Sequence, residues 1–263
     1  MPKLAANLSM LFNEVPFLDR FEAAAMAGFE AVEYLFPYDY EVADLRQRLN
    51  RFDLSQALFN APPGDWAAGE RGIACLPGRE REFMEGIEQA LEYAAVLGNR
   101  HIHVMAGRVP DHLAYDEAHG CYVDNLRRAA QRARQEAVTL LIEPINYVDM
   151  PGYFISLQED AVALIDEIDE PNVRLQFDCY HCQIMQGNVI ETFRNLLPYI
   201  GHLQIAGVPG RHEPDIGELH YPYIFEQIEA SGYDGYIGCE YHPRANTVAG
   251  LGWLQAAMAS DPA

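Results

Sequence analysis

Four short apolar runs each close on a side-chain oxygen of the kind a divalent cation binds. They are Leu140-Leu141-Ile142-Glu143, Leu175-Gln176-Phe177-Asp178, Leu203-Gln204 and Ile237-Gly238-Cys239-Glu240. Successive oxygens lie 35, 26 and 36 residues apart, about the length of one strand-helix unit. Two glutamates, an aspartate and a glutamine offer only oxygen. That set suits Mg2+ or Mn2+ better than a structural zinc, which favours Cys and His. Three carboxylates around one cation leave a net negative site, so a substrate must bring chelating oxygens. A substrate carboxylate would then need its own cationic partner. His181, three residues past Asp178, and Arg211, seven past Gln204, are placed for that role. Arg71 is a weaker candidate, because a lone loop arginine is usually a surface charge. His101 and His103 read as satisfied interior histidines, short of the strand end.

These residues need a frame that returns the chain to one place four times, and the rest of the sequence supplies it. Strand-like and helix-like segments alternate eight times. Strands are expected at residues 4–8, 31–36, 54–59, 101–105, 139–143, 173–178, 202–205 and 236–240. Helices are expected at 16–28, 41–51, 79–97, 121–137, 156–168, 188–197 and 221–231, with a short final one after Gly250. The clearest is 79–97, where Phe83, Ile87, Leu91, Ala94 and Leu97 form one stripe and Gly98 stops it. Ser156 with Glu159 has the pattern of a capping box. Such alternation implies a parallel sheet. Eight units in 263 residues favour a closed (β/α)8 TIM barrel, one domain over 1–263. No G-x-G-x-x-G follows the first strand, which weakens a dinucleotide-binding alternative.

Strand side chains alternate with period two. Parity puts Leu140, Ile142, Leu175, Phe177, Leu203, Ile205, Ile237 and Cys239 against the helices. It puts Glu143, Asp178, Gln204 and Glu240 inside the barrel, at the C-terminal strand ends where such barrels do chemistry. Any one of them could be an ordinary loop residue; four at matching depth and parity argue for a shared site. The long connection 60–78 carries Trp66 and Arg71. Its length fits an active-site lid or a surface excursion equally well.

Composition narrows the partners. The chain has 18 Lys+Arg against 39 Asp+Glu, a net charge of −21. Such a field repels phosphate, so nucleic acid and anionic membrane are poor partners. The odd number of cysteines, 5, does not resemble a disulfide framework. The opening residues Met1 to Asn7 carry no secretion pattern, and the expected location is the cytoplasm. Asn7-Leu8-Ser9 matches a glycosylation acceptor but reads as chance in that setting. Homo-oligomerisation stays open. Cys179-Tyr180-His181-Cys182 is formally C-x-x-C. It is not expected to open a helix, and no second pair exists, so neither redox nor zinc chemistry is supported.

The motifs LLIEPIN, LQFDCYHCQIMQGN, GHLQIAGVPGRHEPDIGELHYP and GYIGCEYHP resemble the hydroxypyruvate isomerase family, within the xylose isomerase-like barrels. The early segments AANLSMLFNEVPFLDRF, AGFEAVEYLFPYDY and GDWAAGERGIACLPGRE extend the likeness over nearly the whole chain. The resemblance implies that Glu143, Asp178, Gln204 and Glu240 ligate the metal, with Glu143 and Glu240 as the catalytic pair. His181 and Arg211 would contact substrate. The related ketose 3-epimerases use histidine where Gln204 stands, so the amide speaks for the hydroxypyruvate branch. The implied reaction is hydroxypyruvate to 2-hydroxy-3-oxopropanoate through an enediolate. One subgroup of the family isomerises 2-oxo-tetronates, and EPINYVDMPGYF looks closest to it. Rival readings are a barrel endonuclease, which the charge opposes, a non-catalytic sugar-acid binding protein, and a cysteine redox protein.

Overall fold

The computed structural model of the protein describes residues 2–254. Eight parallel strands close into a barrel in chain order. They are β1 (Lys3–Asn7), β2 (Ala31–Tyr34), β3 (Ser55–Asn60), β4 (His101–His103), β5 (Thr139–Ile142), β6 (Val173–Asp178), β7 (Ile200–Ile205) and β8 (Tyr236–Cys239). β8 closes on β1 through Leu4 opposite Ile237 and Ala6 opposite Cys239. The helices are α1 (Arg20–Met26), α2 (Val42–Phe52), α3 (Glu80–Leu97), α4 (Tyr115–Arg134), α5 (Gln158–Ile168), α6 (Cys179–Met185), α7 (Val189–Leu196) and α8 (Tyr221–Ala230). This is the expected TIM-barrel architecture. Among the described residues, no helix is long and apolar enough to cross a membrane.

Local chemistry accounts for most of the elements. In α3 the predicted stripe is buried, joined by Ala90, and Gly98 ends the helix at φ 72°. Each large apolar side chain buried there stabilises the fold by about 1.5–3 kcal/mol. The main core lies between strands and helices, as in the edge-to-face contact of Phe177 with Phe193 at 6.1 Å. Inside the barrel the apolar filling is small. Ala5, Ala31 and Ala57 form a separate cluster beside Tyr236. Their small size leaves room for polar side chains above them.

Several expectations need correction. α4 begins six residues before Cys121 and ends at Arg134. The expected capping box does not form: α5 starts at Gln158 with Leu157 as its unassisted cap, and the Glu159 carboxylate accepts from the Gln186 amide instead. Cys179 does open a helix. Asp178 caps α6 by accepting from the Tyr180 N–H at 2.8 Å. Redox chemistry is still unsupported, because burial pushes the Cys182 thiol up to about 12 and Cys179 well above its usual value. The expected final helix lies mostly outside the described residues, with only 252–254 in a helical turn.

Candidate active site

The C-terminal mouth of the barrel opens into a cavity of about 500 Å3. Glu143, Glu240, His181, Arg211 and Arg71, all expected at the site, line it. His103, Asp149, Tyr180 and Trp66 line it as well. Glu143, Asp178, Gln204 and Glu240 are all buried; Glu143 and Glu240 line the cavity, and Asp178 and Gln204 do not.

Arg211 organises the acidic groups. It sits at φ 55° in the loop after β7. Its Nη2 donates to Asp178 Oδ2 at 3.3 Å and to Glu240 Oε2, and its Nε donates to the Glu240 carbonyl at 3.2 Å. The guanidinium also lies over the Tyr180 ring, 5.1 Å from its centroid. One side chain thus neutralises two strand-end carboxylates.

Glu143 has no such partner. Its Oε1 is buried without a hydrogen bond among the described residues. His181 Nε2 lies 3.8 Å from its Oε1 and His103 Nε2 3.7 Å from its Oε2, and the Gln176 side chain also approaches it. His181 also faces Asp178 Oδ2 at 3.6 Å. Its Nδ1 is approached by the Asn146 main-chain N–H at 3.3 Å and by the Asn146 amide at 2.7 Å. Both partners are donors, so Nδ1 accepts and the ring proton sits on Nε2, aimed at the carboxylates. Burial first, then the charge of Arg211, holds His181 well below its ordinary value and hence neutral.

Glu143, Asp178 and His181 offer ligand atoms that all lie within 4.8 Å of one another, so this trio could hold a metal ion. The orphaned Glu143 oxygen fits that use. Glu240 and Gln204, the other two expected ligands, are engaged elsewhere. Glu240 is held by Arg211 and by Asn7 Nδ2 at 3.2 Å. Gln204 accepts from Gln176 at 2.7 Å and donates to Glu33 Oε1 at 2.8 Å.

That last contact exposes what the sequence reading missed. Glu33, fully buried in β2, accepts from Asn7 at 3.0 Å and Gln204, and pairs with His202 Nε2 at 2.7 Å. Asn7 therefore bridges Glu33 to Glu240, and the Asn7 sequon is inside the barrel. His103 needs correction too. β4 stops at His103 rather than at residue 105, which puts it at the strand end, against the cavity. Burial lowers it to about 3, so it is neutral, with Nε2 unpartnered. The signal for Asn7 and His103 was available: each is a polar residue ending a strand of inward parity.

The acids carry a pH signature. Burial, opposed by Arg211 and reinforced by Glu33 and Asp178, pushes Glu240 up to about 8. Burial, then the charges of Glu240 and Asp178, raises Glu143 well above the carboxylate range. Burial, opposed by Arg211 and the Tyr180 N–H, raises Asp178 to about 6. Raised carboxyl values favour the protonated folded state. Their stabilising contribution is present at low pH and is lost as pH climbs from the unfolded value, about 4.5 for Glu, through the folded one. We expect the melting temperature without added cation to fall by several degrees from pH 5.5 to 8.5, and Glu240→Gln to flatten that slope. A slope unchanged by the substitution would remove Glu240 from the explanation.

A family model described as a xylose isomerase-like TIM barrel matches residues 21–257. The chain belongs to that family. A 2-oxo-tetronate isomerase of Cupriavidus necator is 58% identical over 255 residues, covering 97% of this chain and 98% of the relative. A hydroxypyruvate isomerase of Escherichia coli is 48% identical over 254 residues, with 97% and 98% covered. A crystal structure from Brucella melitensis, described as an AP endonuclease of family 2, superposes with a TM-score of 0.95 at 48% identity, over 97% of this chain and 99% of that one. With isomerases this similar along nearly their full length, the chain is an isomerase of the family.

Proposed function

We propose that the enzyme interconverts short 2-oxo acids bearing a C3 hydroxyl with their 3-oxo isomers, with a 2-oxo-tetronate as the preferred substrate and hydroxypyruvate as a smaller one. The observation that carries this reading is the pair Glu143 and Glu240, both buried and both lining one cavity, with Arg211 joining Glu240 to Asp178. Identity of 58% to a 2-oxo-tetronate isomerase supports the ranking. Hydroxypyruvate is kept as the second reading because the relative at 48% bears that name. The two reactions are one: a proton leaves C3, a proton is delivered to C2, and the hydroxyl proton passes from O3 to O2. The substrates differ only in whether C3 carries H or CH2OH.

The enediolate between them is high in energy in water, so the site must take charge and protons at fixed positions. One of Glu143 and Glu240 removes the C3 proton, and the other returns a proton at C2. Their raised proton affinity matches this work, because a base of higher pKa gains more on accepting a proton. The Nε2–H of neutral His181, aimed between Glu143 and Asp178, can donate to a substrate oxygen. Asn7 and Arg211 keep the Glu240 carboxylate in one orientation. Mg2+ or Mn2+ held by Glu143 and Asp178 would act as a Lewis acid on the developing negative charge; Glu240 and Gln204, the other two expected ligands, would have to leave Arg211, Asn7, Gln176 and Glu33 to join them. The charge of −21 argues against an endonuclease reading of the fold, since it disfavours a phosphate backbone.

A side-by-side assay tests the proposal. Purified protein should turn over a 2-oxo-tetronate and hydroxypyruvate, with the larger kcat/KM on the tetronate. Chelator should lower both rates and Mn2+ should restore them. Inactivity on both acids would end the proposal, and a rate indifferent to chelator would remove the cation from it.

A further inference from the structure

Arg71 in the cavity wall and Arg108, whose segment the Gly72–Ala106 bridge brings beside it, pair with no carboxylate among the described residues. In a chain with 18 basic residues against 39 acidic ones, unpaired cations side by side need a reason. Arg71 lines the cavity and lies flat on Trp66, its Cζ 3.8 Å from the ring centroid. Its Nη1 donates to the carbonyls of Glu70 at 2.7 Å and Trp66 at 3.2 Å. Its sequence neighbour Glu70 is taken by Arg79, at 2.7 and 3.2 Å. Arg108 has a buried Nε without a partner. Among the described residues, no carboxylate oxygen lies within 4.0 Å of either guanidinium.

The backbone brings the two together by design of two glycines. Gly72 bridges Ala106 in antiparallel fashion, and Gly72 and Gly107 hold φ of 105° and 112°. A Cβ on Gly72 would run into the Met105 carbonyl, and one on Gly107 would sit 2.8 Å from the Gly72 oxygen. Only glycine permits this approach. It sets the pairs Arg71-Gly72 and Gly107-Arg108 against each other. Burial, then the charge of Arg108, lowers the proton affinity of Arg71. Arg211 meanwhile commits its Nε and Nη2 to Glu240 and Asp178.

We infer that Arg71 and Arg108 form the anion subsite that takes the substrate carboxylate, and that Arg211 does not. The inference rests on the 2-oxo acid reading above and deepens it. A planar guanidinium held on an aromatic face matches a carboxylate bidentately. An acid anchored there lies in the same cavity as Glu143 and Glu240, which act on its C2–C3 end. Selection for acids over neutral sugars then belongs to Arg71 and Arg108.

Glycerate and its primary amide, non-reacting analogues that differ only in the anionic group, separate the possibilities by calorimetric titration of the purified protein. We expect Arg71→Gln to weaken glycerate binding by about tenfold or more, with little change for the amide, and to raise KM for hydroxypyruvate more than it lowers kcat. Arg71→Lys should recover part of the glycerate affinity, and Arg108→Gln should show a smaller loss in the same direction. Melting curves confirm that the variants are folded. Unchanged glycerate affinity in Arg71→Gln, with active wild type, overturns the subsite and leaves the isomerase reading standing. A wild type that neither binds glycerate nor turns over any 2-oxo acid overturns both.

Discussion

Glutamine in place of Glu143 or Glu240 is expected to lower kcat by roughly 10²- to 10⁴-fold, the contribution of a positioned acid or base. The change preserves shape and removes only the ability to hold a proton. Folding should survive it. Glu143 is buried beside two further carboxylates and has an oxygen with no hydrogen bond. Its ionisation opposes folding, so Glu143→Gln should raise the melting temperature at pH 8 while it removes activity. Opposite movement of stability and turnover is hard to explain by general damage. Near-normal kcat in both variants would refute the assignment of the pair.

Loss of Arg211 should act in the other direction. Its guanidinium serves Asp178 and Glu240 together, both buried. Removing one partner of a buried charge pair costs about 3–5 kcal/mol, because the remaining charge is uncompensated. The carboxyls can escape that cost by taking up protons. Arg211→Ala should therefore be only mildly destabilised at pH 5.5 and should show most of the loss at pH 8.5, read by urea unfolding at both values. A loss equal at the two pH values would mean that the pairing contributes little. The sequence suggests Arg211 as a substrate contact; the structure engages it with Asp178 and Glu240 of the protein itself.

How much of this was legible in the chain follows from what each signal depends on. Period two and strand-end position are local properties, and they placed Glu143, Asp178, Gln204 and Glu240 inside the barrel correctly. The α3 stripe and its glycine stop are equally local. Glu33 escaped notice because its strand is buried throughout and shows no alternation, and because its pairing with β3 shifts register between Val32 and Glu33. The engagement of Gln204 by Gln176 and Glu33 depends on which strands neighbour one another across the interior. The α6 helix was missed because Cys179 to Met185 spans 7 residues, too short for a helical period to stand out. The approach of Arg71 to Arg108 depends on a bridge between segments over 30 positions apart, which no local pattern announces.

The contacts of Glu33 have a bearing on how this barrel can be cut. Asn7 and Glu33 come from the first four strand-helix repeats, and His202, Gln204 and Glu240 from the last four. A fragment carrying only the first four would hold an acid stripped of His202 and Gln204, and the complementary fragment would hold those two without their acceptor. Neither piece is suited to stand alone. Two-piece reconstitution would have to rebuild that junction before either half became soluble, which makes this chain a poor starting scaffold for half-barrel recombination.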